Sequence, residues 1–262
     1  MSISEAIKTV SEPINKLLVP VSSSAGSTLQ DAWELVFGGF GNYVEKKRIV
    51  RMKALEDFKE SLERKVADIP ENQLCEPALS IVGPALEASK YYFEEPELRE
   101  MFAKLISASM DSTKSQSVHP SFTEIIRQLS PLDAQNLACF VAPDGSFDRL
   151  PIVEYRIKNV PKRSYNVFQT NSFLSNPKEQ SLTRQAVSIA VLARLGLVQV
   201  TFNAYLTTEA LYKPFEQTDE YRVLTDYCSK QEGKALDLAK GEAFLTPVGE
   251  VFCSICLPTK SS

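Results

Sequence analysis

Seven apolar residues, Ile49, Met52, Leu55, Phe58, Leu62, Val66 and Ile69, recur every three or four positions within an otherwise polar and charged stretch. That interval matches the period of an α-helix, about 3.6 residues per turn, and sets all seven on one face. A helix of this length with one apolar stripe must bury the stripe against other elements, which commits the chain to a packed, helix-rich interior. The spacing predicts one long helix over 43–69, stopped by Pro70 and "ENQ".

More helices follow, each punctuated by proline. "EPALSIVGPALEASKYYF" (76–93) reads as helical with an interruption near Gly83 and Pro84, because proline lacks the amide donor and crowds the preceding turn. "PELREMFAKLISASMDS" (96–112) opens on a proline suited to the first helical position and places Leu98, Met101, Phe102, Leu105 and Ile106 on a buried stripe. In "SVHPSFTEIIRQLSPLDAQNLACF" (117–140), Pro120 falls in a first turn, with Phe122, Ile125, Ile126 and Leu129 facing inward. Ser130, Pro131 and Asp133 then supply a cap, a first-position proline and a charge that complements the helix dipole, which starts another helix.

Beyond Pro143 the character changes. "PIVEYRI" alternates as a strand does, and 158–180 is polar and reads as loop. "SLTRQAVSIAVLARLGLVQVTF" (181–202) reads as a helix stopped by Gly196 and followed by a β-prone run. "AFLTPVGEVFCSICL" (243–257) reads as a short strand, a Thr-Pro turn and a final helix. Helix, strand and returning strand resemble a winged-helix module, although about 40 residues between the strands far exceed common hairpin loops. The expected fold class is mainly α with a small β component (α+β). A helical bundle at the N-terminus and centre (43–142) precedes a winged-helix-like C-terminal module with a long insertion (143–262).

Residues 1–42 read as a weakly patterned amphipathic arm. Ile14, Leu17, Leu18 and Val21 share a face, "SSSAG" and "GGFG" are expected to break the chain, and Leu35, Val36, Phe37, Phe40 and Tyr43 add an apolar cluster. No basic region leads into an apolar one at the N-terminus, and no stretch reaches the roughly 20 apolar residues of a membrane span. Five scattered cysteines without a framework spacing point to a reducing cytoplasm.

The chemistry is narrowed by His119, the one histidine in 262 residues. Sites built on two histidines are excluded, and any Ser-His or Cys-His pair must use it. Standing before Pro120 at a helix start, His119 is expected to shape that junction and not to move protons. GxSxG and GxxxxGK[ST] are absent, and "GGFGNY" lacks the third glycine and the preceding strand of a dinucleotide fingerprint. Cys253 and Cys256 form a CxxC, read as two structural thiols on a helix facing the core. No catalytic residue, cofactor or metal is expected.

Binding surfaces are the remaining possibility. Lys46, Lys47, Arg48, Arg51 and Lys53 crowd one end of the long helix and suit an anionic partner, in a chain whose net charge of −4 argues against broad polyanion binding. Arg156, Lys158, Lys162 and Arg163 form a second basic set. If the C-terminal module reads DNA, Lys178, Arg184 and Gln185 at the start of its helix are the contacts, with Glu179 among them.

"EPALSIVGPALEASKYYFEEPELREMFAKLISASMD" and "VHPSFTEIIRQLSPLDAQNL" resemble the abortive-infection alpha family, a bacterial and prophage-associated domain. The match runs over 43–140, with "PELREMFAKLI", "HPSF" and "IIRQLSP" prominent, and "LARLGLV…FLTPVGEVFCSIC" agrees with the family's tail. The resemblance implies phage defence, in which the infected cell is arrested or killed, and supplies no catalytic residues. The expected function is therefore defence through binding without catalysis, with a protein partner or a second copy of the chain. The alternatives are a DNA-binding regulator using the C-terminal module and an effector that perturbs a membrane through the N-terminal arm.

Overall fold

A computed structural model describes residues 23–37 and 48–257. It is an α+β protein that divides into two units, Met1–Pro131 with Ser254–Thr259, and Leu132–Cys253 with Lys260–Ser262.

The first unit is helical: α1 (Ser23–Phe37), α2 (Arg48–Ala67), α3 (Leu79–Ser89), α4 (Pro96–Ser109) and α5 (Ser121–Gln128). Leu55, Phe58, Leu62 and Val66 of α2 are buried, as their spacing requires. Helix α4 sits at the centre and packs against α2, α3 and α5. Pro96 opens it, and Leu98, Met101, Phe102, Leu105 and Ile106 are buried.

Two expectations fail in this unit. Helix α3 runs unbroken through Pro84. Gly83 precedes that proline, and with no Cβ it escapes the clash that normally drives the preceding residue out of helical space. Nor does "SSSAG" break the chain, since α1 opens at Ser23 and runs on through this stretch. Helix α1 packs against α3. Its Leu29, Ala32, Trp33 and Phe37 are buried, with Trp33 stacked on Phe58 at 6.0 Å and Phe37 5.7 Å from Phe93. The apolar face at 14–21 and the residues Phe40 and Tyr43 lie outside the described residues.

The second unit contains α6 (Pro131–Ala138, from Leu132 on), β1 (Leu150–Asn159), β2 (Ser164–Ser172), α7 (Leu182–Arg194), β3 (Val198–Thr201), α8 (Asp219–Ser229), β4 (Lys234–Leu245) and most of α9 (Pro247–Cys256). The strands form one antiparallel sheet in the order β2-β1-β4-β3. The reading of 158–180 as loop is corrected. β1 extends to Asn159 and β2 returns along it, a hairpin whose outer strand lacks alternation because its first five residues are exposed on both faces.

Helix α7 ends as the sequence indicates. Gly196 takes a φ of +73°, its amide donates to Ala193 O, and the Leu197 amide reaches back to Leu192 O. This paired closure requires a left-handed residue, and buried Leu197 and Leu192 accompany it. β3 and β4 pair with Val198 opposite Leu245, while β4 begins at Lys234, well before Ala243. Thr246 Oγ1 then accepts the Gly249 amide at 3.0 Å to start α9.

The polar segment between β3 and β4 has a core of its own. Tyr212, Phe215 and Leu224 pack with Val153, Tyr155 and Leu182. Tyr155 Oη donates to Phe215 O at 2.8 Å, and burial pushes its hydroxyl up to about 12. Tyr212 Oη donates to Gly241 O at 2.8 Å and accepts the Leu206 amide.

Candidate functional site

His119 stands between a 3-10 turn (Ser115–Ser117) and α5. Its Nδ1 accepts the Ser121 amide at 3.1 Å and lies 2.7 Å from Ser121 Oγ, while its carbonyl accepts the Phe122 amide. Pro120 already has helical dihedrals, φ −56° and ψ −29°, so imidazole and proline together set the first turn. With Nδ1 accepting a backbone donor, the neutral ring carries its proton on Nε2 and its basic nitrogen is engaged at the helix start. Ser130 and Pro131 mark the next junction, with Pro131 the first residue of α6.

A serine, lysine and carboxylate do meet on α2 and α4. Ser61 Oγ donates to Glu100 Oε1 at 2.6 Å, and Lys65 Nζ donates to Ser61 Oγ at 2.9 Å and to Glu100 Oε2 at 2.6 Å. Burial acts to raise the Glu100 carboxyl, but the hydrogen bonds from Lys65 and Ser61 outweigh it and hold the group below its ordinary value. Ser61 is almost wholly buried and its proton is directed at a carboxylate, so the cluster ties two helices together. Cys253 and Cys256 are buried on α9, and burial pushes the Cys253 thiol far up, which keeps it protonated. Among the described residues no three His, Cys, Asp or Glu side chains converge as metal ligands.

The basic start of the long helix is only partly visible. Lys46 and Lys47 lie outside the described residues; Arg48 and Arg51 belong to α2, and Lys53 is exposed on it. The proposed DNA-reading surface on α7 changes on inspection. Gln185 is fully buried, with its Nε2 donating at 3.0 Å to both Asn176 O and Glu179 O. It therefore shapes the loop before α7 and cannot reach a base edge. Arg184 pairs with Glu179 at 2.8 Å, which leaves exposed Lys178 as the one of the two cations without an ion pair among the described residues. The inward turn of Gln185 was visible in the spacing, since it shares a stripe with Leu182, Ile189 and Leu192.

The second basic set is brought together on the β1–β2 hairpin. Lys158 stands opposite Tyr165 and Arg156 opposite Val167, so the four share one face. The Arg156 guanidinium lies 4.6 Å from the Tyr165 ring centre while its Nε donates to Glu154 at 2.5 Å. Lys158 is paired with Asp237 at 2.7 Å. Lys162 and Arg163 occupy the tip, Arg163 with a φ of +49°, and neither forms an ion pair among the described residues. Phe168 is the extra residue of a bulge between the Arg156–Val167 and Tyr155–Gln169 pairs. Tyr165 and Phe168 are 52% and 55% exposed, so both rings meet solvent. The sequence reading found the cations but missed these rings; the signal available was 155–177, which holds no Asp or Glu.

The family described as abortive infection alpha covers residues 50–256. No curated protein and no solved structure matches the chain.

Proposed function

This chain belongs to the abortive infection alpha family, and we propose from that premise that it protects a bacterial host against phage by binding a partner, with no enzymatic step of its own. Family membership is the observation that carries the defence reading. The use of the reactive side chains supports the binding reading: His119 Nδ1 is committed to a helix start, Ser61 to Glu100, and the Cys253 thiol to the interior. The scattered spacing of the five cysteines, without a disulfide framework, supports action in a reducing cytoplasm.

The partner in this account is another protein or a second copy of the chain, with an anionic surface as a further contact. The succession α7, β3, β4 supports a winged-helix-like reading of the second unit. As a reader of DNA, however, that module is disfavoured by the burial of Gln185 and the pairing of Arg184. Among the described residues no helix is long and apolar enough to cross a membrane.

Phage challenge of a host expressing the chain or His119→Asn tests the reading, because asparagine is a competent cap and cannot act as a general base near neutral pH. Protection should survive the change. A variant that folds normally yet loses all protection would overturn the non-catalytic account, and loss of host membrane integrity before lysis would replace it with the membrane effector.

A further inference from the structure

We propose that the β1–β2 hairpin is a docking element for single-stranded nucleic acid, with Lys162 and Arg163 holding phosphates and Tyr165 and Phe168 stacking on bases. This names the anionic contact of the binding role above and rests on that role for its biological setting.

Charge is the first argument. The chain is acidic overall, yet 155–177 contains four cations and no carboxylate. Around the tip, Asp237 is taken up by Lys158, and Glu232 and Lys234 flank Gly233 with opposite charges. Among the described residues Lys162 and Arg163 form no ion pair, and they stand at the backbone turn of the hairpin. An exposed, unpaired cationic tip favours a polyanion.

The rings are the second argument. A sheet edge that only needs protection from aggregation carries charge, proline or a bulge, and has no use for exposed aromatic groups. β2 is an edge strand, and it holds Tyr165, Val167 and Phe168 about half exposed. Tyr165 is braced on one side by Arg156, itself fixed by Glu154, so the ring is pre-set as a platform. Phe168 is set outside the ladder by the bulge and is about half exposed there. Preset aromatic faces beside phosphate-binding cations are the common apparatus for unpaired nucleotides, whose bases all offer a stacking surface.

The order of residues decides against a lipid surface. A hairpin that enters a bilayer leads with apolar side chains and keeps its cations behind them, near the headgroups. Here Lys162 and Arg163 lead, the rings stand behind, and Ser164, Asn166 and Gln169 interleave with them.

The test uses the full chain, fluorescein-labelled oligothymidylate in an anisotropy titration, and vesicles of phosphatidylglycerol and phosphatidylcholine in a sedimentation assay. Lys162→Glu with Arg163→Glu should weaken oligothymidylate binding at least tenfold and lower the salt slope by about 1.4, for two lost phosphate contacts. Tyr165→Ala should weaken it about tenfold with the salt slope unchanged, and Tyr165→Phe should restore it. All three positions are exposed, and equal thermal midpoints establish that the variants fold. Absence of oligothymidylate binding at micromolar protein, or binding indifferent to these changes, would overturn the proposal. So would vesicle binding that these variants abolish while nucleic-acid binding is untouched. Phage protection that persists in variants unable to bind oligothymidylate would remove this docking role and leave the defence reading standing.

Discussion

Replacing Trp33 with alanine removes the only tryptophan of the chain from the seam between α1 and its neighbours. The side chain is 2% exposed, 4.4 Å from the Phe37 ring and 6.0 Å from Phe58. A buried aromatic of this class covers about 150–250 Å². At about 25 cal/mol per Å² that burial is worth roughly 4–6 kcal/mol. Compactness of the unfolded chain lowers such values by about 10–40%. The expected cost is therefore about 3–5 kcal/mol, in the range known for large aromatic to alanine changes. Urea unfolding followed by far-ultraviolet circular dichroism measures it, and tryptophan emission of the unsubstituted protein gives an independent check. Emission should be blue-shifted and poorly quenched by acrylamide. A loss below about 1 kcal/mol with an unchanged urea slope, or freely quenched emission, would refute the seating of α1 on this unit.

The remaining perturbations probe other joints. A Cβ on Gly249 would stand 2.0 Å from Leu197 O, so Gly249→Ala should destabilise by about 2 kcal/mol despite the roughly 1 kcal/mol that alanine gains in helices; a thermal midpoint equal to or above that of the parent would contradict the close approach. Burial acts to raise the Asp111 carboxyl, yet hydrogen bonds from Lys114 Nζ, Thr113 Oγ1 and the Thr113 amide outweigh it and hold the group below its ordinary 3.8. Its contribution is thus complete above the unfolded value and lost as pH falls through the folded one. Asp111→Asn should lower stability at pH 7 and flatten the acid loss below about pH 4 in urea midpoints, and an unaltered acid profile would contradict this.

What the sequence made legible follows the range of the forces involved. Pro96, Gly196 and Thr246 act on their own turns, and the helix ends they predict are present. The stripe of α2 is a local period and needed no tertiary information. β2 was hidden because a doubly exposed edge strand has no alternation to read. The helix through Pro84 was hidden because a strong breaker was weighed without the glycine before it. Gln185 was misjudged because its residue type suggested a surface role while its position on the Leu182 and Ile189 stripe turned it inward. The hairpin surface needed strand pairing to assemble, since Arg156 and Tyr165 meet only once β1 and β2 are in register.

We propose, from the description of the abortive infection alpha family, that this member limits phage at the cost of the infected cell. A single-cycle infection with more phage than cells tests it directly, scoring progeny released and host survival in the presence and absence of the chain. The account expects progeny to fall while infected cells die or stop dividing. Normal progeny from every phage in a broad panel, or infected cells that clear the phage and resume growth, would contradict it.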